Sequence, residues 1–123
     1  MTIIEAINEI DSVKPNDYTQ TEKIKWLSNL DSMIKKEVID THEGSEDTSF
    51  DGYTDQTPID TILLVESPYD TMYIAWLESK IDYHNSEYTR YNNSITNFND
   101  LYTEYVRYYN RTHMPKAVKL KNF

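Results

Sequence analysis

The sequence predicts an all-α fold, a compact bundle of about four helices over approximately residues 2–13, 20–40, 68–91 and 94–111. A long polar loop at 41–57 and an extended C-terminal tail complete it. Three observations carry this reading. Apolar residues recur at steps of three and four in four segments. Helix-start signatures precede three of them. Breakers are scarce, with two glycines and four prolines in 123 residues.

The first helix rests on Ile3, Ile7 and Ile10, with Ile4 beside them. Thr2 and Glu5 have the spacing of a capping box, and Pro15 stops the helix. In the second, Ile24, Leu27, Leu30, Ile34 and Val38 form one stripe flanked by Trp26 and Met33, and Thr19 with Glu22 repeats the capping signature. This helix is expected to pack on the first. Thr41–Thr57 then holds both glycines and five acidic residues, and reads as a polar loop or flexible excursion. Ile62–Val65 fits either an extended piece or a helical turn. Ser67, Pro68 and Asp70 predict the next helix start, with Ser67 as N-cap and Pro68 at the first helical position.

From there Ile74, Leu77, Ile81, His84, Tyr88, Tyr91, Ile95, Phe98, Tyr102, Tyr105 and Tyr109 make a heptad-like seam. Tyr91–Ser94, "YNNS", is a poor helix interior and a good turn with a fresh N-cap, so two helices are expected to meet there. Tyr73, Trp76, Leu101 and Tyr108 supply a second stripe. The surplus of apolar surface points towards oligomerisation.

The net charge of −9 is segregated. Residues 1–106 hold all 21 acids against seven bases, and the remainder holds five bases and no acid. An acidic body repels phosphate, which argues against broad nucleic-acid binding. Cysteine is absent, which removes disulfides and thiolate metal sites. Met1–Val13 carries Glu5, Glu9 and Asp11 without a basic region, so no secretion signal is expected, nor is any run apolar enough to span a membrane.

No catalytic, cofactor or metal site is expected. Asp40, His42, Glu43, Glu46 and Asp47 match neither a zinc spacing nor a calcium loop, and read as a solvated acidic loop. His84 reads as a core or interface histidine. His113 lies beside Pro115 at a helix end, where a cation suits the dipole. Two glycines cannot build a phosphate-binding loop. The sequons at Asn92 and Asn110 carry no weight without secretion. The tyrosines near Arg90, Arg107 and Arg111 read as an interface rather than a base-stacking platform, because Glu87, Asp100 and Glu104 share their helices.

Two units follow: a helical domain, 1–111, and an arm, 112–123. Pro115 blocks helix continuation, and beyond it Val118 and Leu120 alternate with Lys119 and Lys121. Ordering such an arm costs about 1–2 kcal/mol per residue, more than burial of Val118, Leu120 and Phe123 returns at about 1.5–3 kcal/mol each. The arm is therefore expected to order on a partner, through Arg107, Arg111, Lys116, Val118, Lys119, Leu120, Lys121 and Phe123.

"KIKWLSNLDSMIKKEVIDTHEG", "SPYDTMYIAWLESKIDYHNSEYTRYNNS" and "YYNRTHMP" resemble small head-tail connector proteins of Firmicutes siphophages and prophages, also called head-completion or adaptor proteins. The resemblance implies a non-enzymatic helical subunit without cofactors, assembled in the host cytoplasm and located in the virion neck. It implies a ring, typically of twelve copies in the virion, between the portal protein and the stopper or tail-completion protein, built from subunits that in many such proteins are monomeric when free. DNA would pass through that ring without sequence-specific binding, and no membrane would be involved. The other reading, from the residues alone, is a small phage-encoded regulatory or protein-interaction module.

Overall fold

The computed structural model describes residues 1–116. Among these, four α-helices form the body: α1 Ile3–Val13, α2 Gln20–Glu37, α3 Met72–His84 and α4 Tyr88–Thr112. Short 3₁₀ turns lie at Ile39–Thr41, Ser45–Asp47 and Tyr69–Thr71.

The first two helices start where their caps specify. The Thr2 hydroxyl accepts from the Glu5 amide, and the Glu5 carboxylate accepts from the Thr2 amide. This reciprocal arrangement draws the Glu5 carboxyl below its ordinary range. The Thr19 hydroxyl accepts from the Glu22 amide at 3.1 Å. Ile3, Ala6, Ile7 and Ile10 of α1 enter the core with Ile24, Trp26, Leu27, Leu30 and Ile34 of α2. At α1's start, the Ile3 and Ile4 amides donate to the carbonyls of Thr61 and Ile59. These bonds satisfy donors that a helix cannot satisfy internally.

They also settle the conformation of Ile62–Val65. Thr2 and Ile62 form an antiparallel bridge, and the Leu63 amide donates to the Met1 carbonyl at 2.9 Å. Leu63 and Val65 are buried while Ile62 is exposed, the two-residue period of an extended segment. Nor is Thr41–Thr57 a loose excursion. It contains a 3₁₀ turn, and the Tyr53 amide donates to Ser28 Oγ at 2.9 Å. Gly52 has φ +92, and a Cβ there would sit 3.3 Å from Ser28 Oγ, so glycine permits this close approach to α2.

Under that segment lies Asp31, fully buried on the α2 face. Its carboxylate accepts from Tyr53 Oη at 2.5 Å, Tyr73 Oη at 2.6 Å and the Leu64 amide at 3.1 Å. Tyr73 Oη also accepts from the Val65 amide at 2.8 Å. Burial raises the Asp31 carboxyl above its ordinary range, against the lowering effect of these three donors. Burial and the nearby carboxylate likewise raise both phenols. One buried carboxylate thus ties α2, α3 and the irregular 53–65 segment together.

The C-terminal half departs from the sequence expectation at two places. First, α3 begins at Met72, and Ser67 does not cap it. Pro68 opens the 3₁₀ turn, without a side-chain cap. That turn carries Tyr69, which stacks on Tyr108, while Tyr73 in the first turn of α3 bonds Asp31. Second, the break expected at Tyr91–Ser94 falls at Asn85–Glu87, where Ser86 adopts φ +59. Ser94 is inside α4, its hydroxyl donating to Asp82 Oδ2 at 2.9 Å and back-bonding to the Arg90 carbonyl at 3.1 Å. Asp82, itself buried, pairs with Lys14. The seam is interrupted accordingly. Leu77, Ile81, Phe98 and Tyr105 are buried, whereas His84 and Tyr88 flank the break and are exposed.

The α3–α4 hairpin is antiparallel, with Trp76 against Phe98 at 4.9 Å and Tyr69 against Tyr108 at 4.6 Å. Its helices have 13 and 25 residues, so α4 runs on past the start of α3. No described helix is long and apolar enough to cross a membrane.

Candidate functional site

The overhanging end of α4 meets the segment that follows α2, and the C-terminal arm departs from this junction. His42, an exposed loop residue by the sequence reading, is buried at its centre. Its Nδ1 lies 2.6 Å from the Val38 carbonyl oxygen and its Nε2 lies 2.8 Å from Asn110 Oδ1. Thr41 Oγ1 shares the Val38 carbonyl, donating to it at 2.7 Å. The imidazole meets the edge of Tyr109 at 4.8 Å, and Tyr109 stacks face to face on His113 at 3.8 Å. His113 is the C-cap of α4. Its aromatic stack adds packing to the helix-end position read from sequence.

The backbone on both sides of His42 then receives the departing chain. The Glu43 amide donates to the Met114 carbonyl at 2.8 Å, and the Lys116 amide donates to the Thr41 carbonyl at 3.0 Å. His42 and Pro115 thereby form an antiparallel bridge. Proline lacks an amide proton but leaves this pairing intact, because the bonds run through its neighbours, Met114 accepting and Lys116 donating. The arm therefore begins as an extended strand-like segment anchored through Lys116.

Arg107 and Arg111 lie one turn apart on a different face of α4. With Tyr69 and Glu104 they line a groove of about 270 Å³. Tyr69 supplies its aromatic wall and is stacked from behind on Tyr108, whose Oη donates to Glu66 Oε1 at 2.7 Å. That carboxylate raises the Tyr108 phenol above its ordinary range. Arg107 and Arg111 are exposed and make no ion pair among the described residues.

The predicted binding residues thus divide. Arg107 and Arg111 share the groove, while Lys116 belongs to the bridge at His42. Val118, Lys119, Leu120, Lys121 and Phe123 lie outside the described residues. The cluster Asp40, His42, Glu43, Glu46 and Asp47 is dispersed: Asp40 pairs with Lys35 and His42 is spent on Val38 and Asn110. Among the described residues no three metal-ligating side chains converge. His84 stacks on Trp26 at 5.4 Å, with Tyr18 edge-on to the indole, and occupies the surface rather than the core.

Sequence reasoning missed His42, Asn110 and Tyr69 as parts of this end of the molecule. His42 and Asn110 are 68 positions apart, so no local spacing joins them. Tyr69 had a visible signal, an aromatic residue just after proline at a helix start, but its partner on α4 depends on where the hairpin turns.

Comparison with known proteins returns no match: no family model fits the chain, and no curated protein or solved structure is significantly similar to it.

Proposed function

We propose that this chain is a structural subunit of a head-tail connector. In this reading it forms an adaptor ring between the portal and the stopper or tail, extends the DNA channel in the virion neck, and performs no catalysis. The observation that carries the reading is the anchored arm. The chain leaves α4, pairs with Thr41–Glu43 through Lys116, and continues into a basic, partly apolar sequence. A fixed root beside such a sequence suits strand addition to a neighbouring protein. The charge separation supports it as well. A body with 21 acids against seven bases in residues 1–106 does not retain passing DNA, and it attracts basic arms.

The test is co-sedimentation of the full chain with the portal protein of the same phage or prophage, beside a variant lacking Ala117–Phe123. Binding by the full chain and its loss on truncation is the expected result. Binding that is unaffected by truncation removes the role of the arm. A chain that ignores the portal altogether favours the regulatory or interaction module instead.

A further inference from the structure

The arginine groove has two bases against a single acid in its lining. Lys14, Lys23, Lys35 and Arg90 are each paired with carboxylates, Lys80 lies over the Trp76 ring, and Lys25 and Lys36 are exposed on α2 without an ion pair among the described residues. Arg107 and Arg111 instead project together beside Tyr69, and only Glu104 contributes an opposing charge to the lining. Guanidinium groups beside an aromatic ring suit carboxylates, which they bind as a planar fork.

A matching surface exists elsewhere on the same molecule. Glu43, Glu46, Asp47, Asp51 and Asp55 are all exposed, and no base interrupts them in the sequence. None of the five makes an ion pair among the described residues. Glu46 and Asp47 ride on the 3₁₀ turn Ser45–Asp47, whose Ser45 carbonyl is held by Lys35 Nζ at 3.1 Å. These carboxylates are therefore displayed on a fixed mount, which lowers the ordering cost of docking. No residue of this loop lines the groove of its own chain.

We infer that the groove of Tyr69, Arg107 and Arg111 receives the Glu46–Asp47 turn of a second copy of this chain. Groove and turn are different surfaces, so the contact is head-to-tail and leaves one of each free for the next copy. Repeated with closure, such a contact makes a ring. The inference rests on the ring reading for its choice of partner, but it names a contact that can be tested without the portal.

The experiment is a charge swap on the full chain, read by light-scattering mass from micromolar to millimolar concentration. Arg107→Glu with Arg111→Glu makes one variant, and Glu46→Arg with Asp47→Arg makes the other. Circular dichroism checks that both keep the wild-type helical signal. The wild type is expected to exceed monomer mass at low salt and to fall back at high salt, where screening removes the attraction. Each variant alone should stay at monomer mass, and an equal mixture should recover association, because each groove then meets an opposite turn. A wild type that stays monomeric throughout, variants that associate as the wild type does, or a mixture that fails to recover would each overturn the contact. Adding the portal separates the two proposals. Rings that form on it with either variant alone overturn the contact and leave the ring reading standing. Charge-matched association without any portal binding keeps the contact and removes the ring.

Discussion

Removing the Tyr73 hydroxyl strikes the buried junction on which the irregular 53–65 segment depends. In Tyr73→Phe, Asp31 Oδ1 loses its donor at 2.6 Å and the Val65 amide loses its acceptor at 2.8 Å. A hydrogen bond to a charged group contributes about 1.5–3 kcal/mol, and a buried donor left unpaired costs about 1–3 kcal/mol. The expected loss is therefore about 3 kcal/mol or more. Tyr53→Phe should cost less, about 2 kcal/mol, because Asp31 Oδ2 keeps the Leu64 amide. The assay is urea unfolding followed by helical circular dichroism. With a denaturant slope of about 1–3 kcal/mol per molar urea, Tyr73→Phe should lower the midpoint by about 1 M or more. The double variant should cost less than the sum of the singles, since both hydroxyls serve one carboxylate. A Tyr73→Phe loss below about 0.5 kcal/mol, the range of ordinary surface changes, would refute the reasoning. So would strict additivity of the two substitutions.

The pH dependence of the same junction has a definite sign. Burial raises the Asp31 carboxyl in the folded state, so the native chain keeps this proton to higher pH than the unfolded chain does. The stabilising contribution is complete below the unfolded value, near 3.9, and is lost as pH rises through the folded one. The stability of wild type relative to Asp31→Asn should therefore decline with rising pH across that window; a difference that grows would contradict the assignment. His42→Ala should cost about 2–3 kcal/mol through lost hydrogen bonds and the Tyr109 contact, and should speed hydrogen exchange at the Glu43 and Lys116 amides. Unchanged exchange there would mean that His42 does not hold the root of the arm. Ser86→Gly should raise stability by up to about 1 kcal/mol, because glycine adopts the φ of +59 without steric cost. A loss of stability would place the hairpin break elsewhere.

The parts that were legible in the sequence are those fixed by local chemistry. Thr2 with Glu5 and Thr19 with Glu22 mark their helix starts because capping involves residues three apart. The α2 stripe reads directly because one face of that helix supplies its core contacts. The hairpin was harder. "YNNS" and "HNSE" are both turn-forming, and tertiary contacts choose between them. Ser94 earns its mid-helix place by bonding Asp82, a buried residue from α3 paired with Lys14 from the end of α1. Asp31 left a trace, a carboxylate beside Leu30 on an apolar face, but its tyrosine partners lie 22 and 42 positions away. At the candidate site, the charge of Arg107 and Arg111 and their one-turn spacing were visible. Their convergence with Tyr69 was not, because it follows from the hairpin register.

The proposal that the chain is a ring-forming connector subunit stands or falls on the light-scattering mass of the chain with and without the portal protein. The expected result is a discrete complex whose mass corresponds to portal plus a closed set of copies, absent when Ala117–Phe123 is removed. A chain that keeps its own monomer or dimer mass in the presence of excess portal would contradict the proposal.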